Sequence, residues 1–152
     1  MKNIKCLSHV ALDVSNLETS LDFYVGKLGF EEMFRLEMKG WLVVNLQIND
    51  TQHIEIFVPP AGSPAPTHNK AGGHHICLEV DDIAAAIAEF NARGGELMRP
   101  RTVGLDNNEQ AWILDPDGNR IEFMQMAPDS LHLRARERLA KACTASEQVT
   151  AA

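Results

Sequence analysis

HVALDV at residues 9–14 and HICLEV at residues 75–80 match position by position in character: histidine, aliphatic, small, leucine, acid, valine. Each run has the apolar alternation of a strand with one covered face. A capping signal and a helical pattern follow in both copies, SNLETSLDFYVGKLGF after the first and DDIAAAIAEFNARGG after the second. Ser15 and Asp81 or Asp82 are the expected N-caps. Leu17, Leu21, Tyr24 and Leu28 make one apolar stripe, and Ile83, Ile87 and Phe90 make the other. Both helices run into glycine, at Gly29 and at Gly94-Gly95, where a left-handed C-cap is expected.

Working outward, each copy passes through further strand-like runs and closes on a similar segment, HIEIFVPP at 53–60 and RIEFMQMAP at 120–128. Glu55 and Glu122 align between the copies, one insertion away from the spacing of the histidines. An internal repeat dictates architecture before any single motif does. The reading is an α+β protein of two tandem βαβββ modules with a short C-terminal helix; if the two curved sheets close on a common space, they cup a shared site. Residues 1–128 form the domain, with module one at 4–60, a Pro/Gly/Ala-rich linker at 59–73 and module two at 73–128. The segment from Asp129 reads as an amphipathic helix over 129–142, capped by Ser130, with Leu131, Ala135 and Leu139 on one face. It is expected to pack on the domain or on a second subunit. Residues 143–152 read as a disordered tail.

Composition narrows the partners. The chain has 152 residues, is 45% hydrophobic and carries a formal net charge of -7, enough core for one domain and the wrong sign for gripping nucleic acid. No stretch approaches the ~20 apolar residues that cross a bilayer. Cys6, Cys77 and Cys143 are odd in number, widely spaced and belong to no CxxC pair, so neither a disulfide framework nor a zinc knuckle is suggested and a reducing cytoplasm fits.

Strand alternation assigns the faces. Val10, Leu12 and Val14 meet the helix, so His9, Ala11 and Asp13 point away. Ile76, Leu78 and Val80 do the same in the second copy, leaving His75, Cys77 and Glu79 opposite, while His74 falls on the helix side. Ile54 and Ile56 put Glu55 and Phe57 on the far face, and Ile121 and Phe123 put Glu122 there. One His and one Glu per repeat therefore share a face. Two imidazoles and two carboxylates are a nitrogen and oxygen donor set suited to Zn, Ni, Co, Mn or Fe(II), with room for water.

LSHVALDVSNLETSLDFYVGKLGF, GHHICLEVDDI and AWILDPDGNRIEFMQ, taken in order, resemble the vicinal oxygen chelate superfamily, which includes glyoxalase I, methylmalonyl-CoA epimerase, extradiol dioxygenases, fosfomycin resistance transferases and bleomycin-binding proteins. The resemblance covers residues 5–126 and implies paired βαβββ modules around a divalent metal. It places the ligands of glyoxalase I-like members on His9, Glu55, His75 and Glu122, and it makes Asp117-Gly118 a hairpin turn before the strand of Glu122. It implies a lyase or isomerase that acts on a small molecule with adjacent oxygens, by proton transfer beside a metal-polarised carbonyl, with Glu122 as base and Glu55 as a second carboxylate. Glutathione as cosubstrate and a homodimer are further implications. An Fe(II) dioxygenase, an epimerase or a non-catalytic sequestering protein are the alternatives within the same superfamily.

Asp13 departs from the arginine that bacterial glyoxalase I often carries in the first strand, and an acid there should repel a glutathione carboxylate. Arg35, Asn45, Arg99 and Arg101 are candidates for holding a carboxylate or phosphate. His53 shares the parity of Glu55 as an alternative ligand. Trp41, Phe57, Trp112, Met124 and Met126 are candidates for an apolar wall, and His68 and Lys70 for closing over a substrate from the linker.

Overall fold

In the computed structural model, residues 5–63 and 74–150 are described. The linker residues 64–73, with His68 and Lys70, lie outside them. The chain divides into two compact units. Among the described residues, the first holds 5–63 together with Ala92–Gly95 and Asp115–Asn119; the second holds the rest.

The first unit is built on β1 (His9–Asp13), α1 (Leu17–Leu21), β2 (Glu31–Met38), β3 (Trp41–Asn49) and β4 (Gln52–Val58). Its sheet runs β1-β4-β3-β2, with β1 parallel to β4 and the other pairs antiparallel. α1 widens into a π-helical stretch at Asp22–Lys27, which buries Phe23 and Tyr24 side by side. Val14, Tyr24, Val44, Leu46, Ile54 and Ile56 are almost fully enclosed, each aliphatic worth about 1.5–3 kcal/mol of burial. Lys39 and Gly40 both have positive φ, 51° and 85°, and join β2 to β3, the backbone of a two-residue hairpin whose twist matches its strands.

The helix cap differs from expectation. Asn16, extended at φ -147°, accepts the Thr19 N–H at 2.9 Å and is the N-cap. The Ser15 N–H instead donates to the Asp117 carboxylate, 102 positions away, at 3.1 Å. Asp115 organises the turn around Asp117: it accepts the N–H groups of Asp117 and Asn119, the Asn119 side chain and, at 2.7 Å, the buried Tyr24 hydroxyl. Gly118 takes φ 85° there, and Gly29 (77°) and Gly94 (79°) are left-handed at the two helix ends.

The second unit repeats the plan with β5 (Ile76–Glu79), α2 (Ile83–Ala92), β6 (Arg99–Val103), β7 (Glu109–Leu114) and β8 (Arg120–Gln125), in the order β5-β8-β7-β6. Asp82 caps α2 by accepting from Ala84 and Ala85. Ile83, Phe90, Ile113, Ile121 and Phe123 form its core, with Phe90 edge-on to Phe123.

α3 spans Leu131–Thr150, so the helix does not stop at 142 and the expected disordered tail is helical through Thr150. Residues 133–150 contain no Gly or Pro and are rich in Ala and Arg, so no strong breaker ends the helix. Buried Ser130 caps it by accepting the Leu133 N–H. Among the described residues, no helix is long and apolar enough to cross a membrane.

Candidate functional site

Register fixes which side chains meet. In the first sheet His9 lies opposite His53, and Ala11 opposite Glu55. Glu55 lies opposite Asn45, which lies opposite Phe34. Residues opposite one another share a face, so Ala11, Glu55, Asn45 and Phe34 form one row. His9, His53 and Gln47 flank it on one side; Asp13, Phe57, Val43 and Leu36 flank it on the other. The β2 bulge between Glu32 and Phe34 sets this pairing, bringing Phe34 rather than Met33 beside Asn45.

His9 Nε2 lies 3.6 Å from Glu55 Oε2. The rings of His9 and His53 lie 4.9 Å apart, tilted by 34° to one another. Ligand atoms of His9, His53 and Glu55 lie within 4.8 Å of one another. Spacing alone left His53 as an alternative, since a residue two before a candidate ligand is often a strand end. The register shows what spacing could not: parallel pairing of β1 with β4 puts His53 directly beside His9. Two nitrogens and a carboxylate with no thiolate are a donor set that fits a borderline divalent ion.

In the second sheet Cys77, Glu122, Trp112 and Arg99 form the equivalent row. His75 Nε2 lies 3.2 Å from Glu122 Oε2, and the His75 ring meets Trp112 edge-on at 4.9 Å. The Glu122 side chain is 13% exposed against 24% for Glu55, making it the more water-shielded carboxylate. Cys77 is surface-exposed at the residue level, yet crowding of its thiol and the adjacent Glu122 push its pKa up to about 12. It therefore stays a thiol at neutral pH rather than a thiolate ligand or nucleophile.

His74 is more engaged than its helix-side parity implied. Its Nδ1 lies 2.8 Å from His75 Nδ1, and Arg120 Nη1 lies 3.2 Å from its Nε2. Arginine only donates. With both rings neutral, His74 Nε2 must accept and His74 Nδ1–H must donate to His75, which leaves the His75 Nε2–H facing Glu122. In that arrangement the donors run Arg120, His74, His75, Glu122, and a metal held at His75 Nε2 would require the order to reverse.

The remaining candidates divide. Arg35 faces away from Glu55, in the Val44 row, and pairs bidentately with Glu32 at 2.7 Å. Arg101 is paired with Glu109. Both are paired with neighbouring carboxylates at the surface. Arg99 closes the Glu122 row and has no ion pair among the described residues. Trp41 and Phe57 share the Glu55 face, edge-on at 6.4 Å, and Trp112 and Met124 share the Glu122 face. Asn45 is 1% exposed and its Nδ2 has no hydrogen-bond partner among the described residues, a state that costs a folded protein about 1–3 kcal/mol.

With the repeat, the paired sheets and the His–Glu pairs in place, the class of protein is defined: the chain belongs to the Glyoxalase/Bleomycin resistance protein/Dioxygenase superfamily, whose model matches residues 7–123. It is 33% identical over 138 residues to a lactoylglutathione lyase of Neisseria meningitidis, covering 78% of this chain and 89% of that one. It is 38% identical over 95 residues to the mitochondrial methylmalonyl-CoA epimerase of Mus musculus, covering 57% of this chain and 52% of that one. The chain thus spans about half the length of that epimerase. A glyoxalase family protein from Enterococcus faecalis matches in structure with a TM-score of 0.68 and 30% identity, over 79% of this chain and 97% of that one.

Proposed function

We propose that the protein is a divalent-metal-dependent lyase or isomerase of glyoxalase I type, acting on a small molecule with adjacent oxygens by moving a proton beside a carbonyl. The observation that carries this reading is the repetition of one His–Glu pair per unit, 3.6 Å and 3.2 Å apart, each on the sheet face away from the helix. His9, Glu55, His75 and Glu122 are the residues that would hold the ion, with His53 beside them as a third imidazole donor in the first unit. A bound divalent ion would supply Lewis-acid polarisation of the substrate carbonyl, which acidifies the neighbouring C–H. Glu122 takes that proton as general base, and Glu55 is the second carboxylate for returning it to another position or face.

Epimerisation at the carbon beside an acyl carbonyl is the second reading, favoured by the 38% identity to a methylmalonyl-CoA epimerase. Asp13 sits on the Glu55 face, opposite Phe57, and is exposed. A fixed carboxylate there disfavours the carboxylates of glutathione and the carboxylate of a methylmalonyl thioester alike, so Asp13 bears on how an anionic substrate is held and not on which of the two reactions is run.

The test is proton exchange. Protein stripped with chelator and reloaded with Ni, Co, Zn or Mn is incubated in deuterium oxide with methylglyoxal plus glutathione and, separately, with methylmalonyl thioesters. Metal-dependent deuterium incorporation or lactoylglutathione formation is expected, and Glu122→Gln should abolish it while substrate still binds. A protein that takes up none of these metals contradicts both readings.

A further inference from the structure

We infer that Asn45 donates a hydrogen bond to a carbonyl or carboxylate oxygen of the small molecule bound beside Glu55. The inference rests on the proposed function for what that molecule is, and on the first sheet alone for where it sits.

Asn45 occupies the centre of β3, an inner strand, in a run of four fully enclosed residues whose other members are Val43, Val44 and Leu46. Asparagine is disfavoured in strands, and an apolar residue would fill this position without leaving a donor unmet. Glu55 lies directly opposite it. The position is not polar by repetition. Its equivalent in the second unit, the residue opposite Glu122, is Trp112, and the indole N–H is satisfied by Gln110 at 2.9 Å. Among the described residues, the first unit leaves this amide N–H without a partner, on the face that carries His9, His53 and Glu55. Along the row, Glu55 and Phe34 on either side of Asn45 are both partly open, so the amide lies next to accessible side chains on that face. A buried donor beside a carboxylate selects an acceptor atom: it welcomes an oxygen and rejects an ammonium or alkyl group in the same place.

Oxalate, a rigid anion with adjacent oxygens, is the binding probe, titrated calorimetrically into cobalt-loaded wild-type protein, Asn45→Leu and Asn45→Asp. A hydrogen bond to an anionic oxygen corresponds to about 10- to 100-fold in affinity. Asn45→Leu should weaken oxalate by that factor with cobalt affinity within about twofold of wild type, and Asn45→Asp, which turns the donor into an acceptor, should weaken it further. Unchanged oxalate affinity in Asn45→Leu overturns the inference. A parallel loss of cobalt affinity also overturns it, because the amide then serves Glu55 and not the ligand. Thermal unfolding of the metal-free proteins is the second measurement. Removing an unmet donor should leave the midpoint of Asn45→Leu equal or higher, by about 2–4 °C for a domain of this size. A fall of similar size shows a structural amide and overturns the inference. If wild-type protein takes up no cobalt or binds no oxalate, it is the proposed function that fails, and the unfolding comparison decides Asn45 by itself.

Discussion

Removing one oxygen atom, in Tyr24→Phe, isolates the contact that ties the π-helical stretch to the turn at Asp115. The hydroxyl donates to Asp115 Oδ2 at 2.7 Å, with Tyr24 fully enclosed and Asp115 5% exposed. Hydrogen bonds to a charged group contribute about 1.5–3 kcal/mol, and Asp115 keeps its three other donors, so the lower half of that range is expected. For a domain of this size that is a drop of about 3–8 °C in Tm. The same contact has an alkaline signature. Burial first, then the charge and hydrogen bond of Asp115, raise the Tyr24 pKa far above its ordinary value near 10. The unfolded chain therefore releases this proton above about pH 10 while the folded chain keeps it, so this group's stabilisation is complete below pH 10 and falls by about 1.4 kcal/mol per pH unit above it. Tyr24 is the only tyrosine in the sequence, so absorbance at 295 nm reads it directly. Tyrosinate should appear only as circular dichroism shows unfolding, and Tyr24→Phe should lose this part of the alkaline slope in urea midpoints taken from pH 8 to 11. Tyrosinate rising with a midpoint near 10 in folded protein would refute the reasoning.

Three further outcomes follow from contacts described above. Arg120→Met removes the donor that fixes the His74 tautomer, so cobalt affinity should rise by about two- to tenfold, read by calorimetry. His74→Ala frees His75 Nδ1 to bond water, and should change cobalt affinity by less than about tenfold, whereas His75→Ala should lower it by 100-fold or more. Asn108 is 1% exposed, with its amide on Asp106 and His132 and its carbonyl accepting the Ala127 N–H. Asn108→Ala should cost about 2–3 kcal/mol, and faster amide exchange at residues 127–135 would locate the loss at the start of α3.

The sequence carries the architecture because the repeat shows each strand twice. A face assigned by alternation in one copy is checked by the other, so His9 with Glu55 and His75 with Glu122 emerge from parity alone. What it conceals are contacts with no sequence period. Ser15 is a good capping residue, but its N–H is bound to Asp117, 102 positions away, and the cap falls on Asn16. His53 joins His9 through parallel pairing across the whole first module. His74 points its ring along the strand edge to His75 and Arg120, a side-chain choice that strand parity does not determine. Asn45 is visible as a polar residue in an apolar run, yet only the count of its hydrogen bonds sets it apart from a satisfied core amide.

Cobalt(II) titration of chelator-stripped protein tests the metal reading most directly. One ion per chain is predicted, with visible bands of five- or six-coordinate nitrogen and oxygen ligation, and with tight binding lost in His9→Ala, Glu55→Ala, His75→Ala and Glu122→Ala alike. Absence of uptake, or uptake that survives in His75→Ala and Glu122→Ala, would contradict a centre that draws one His–Glu pair from each repeat.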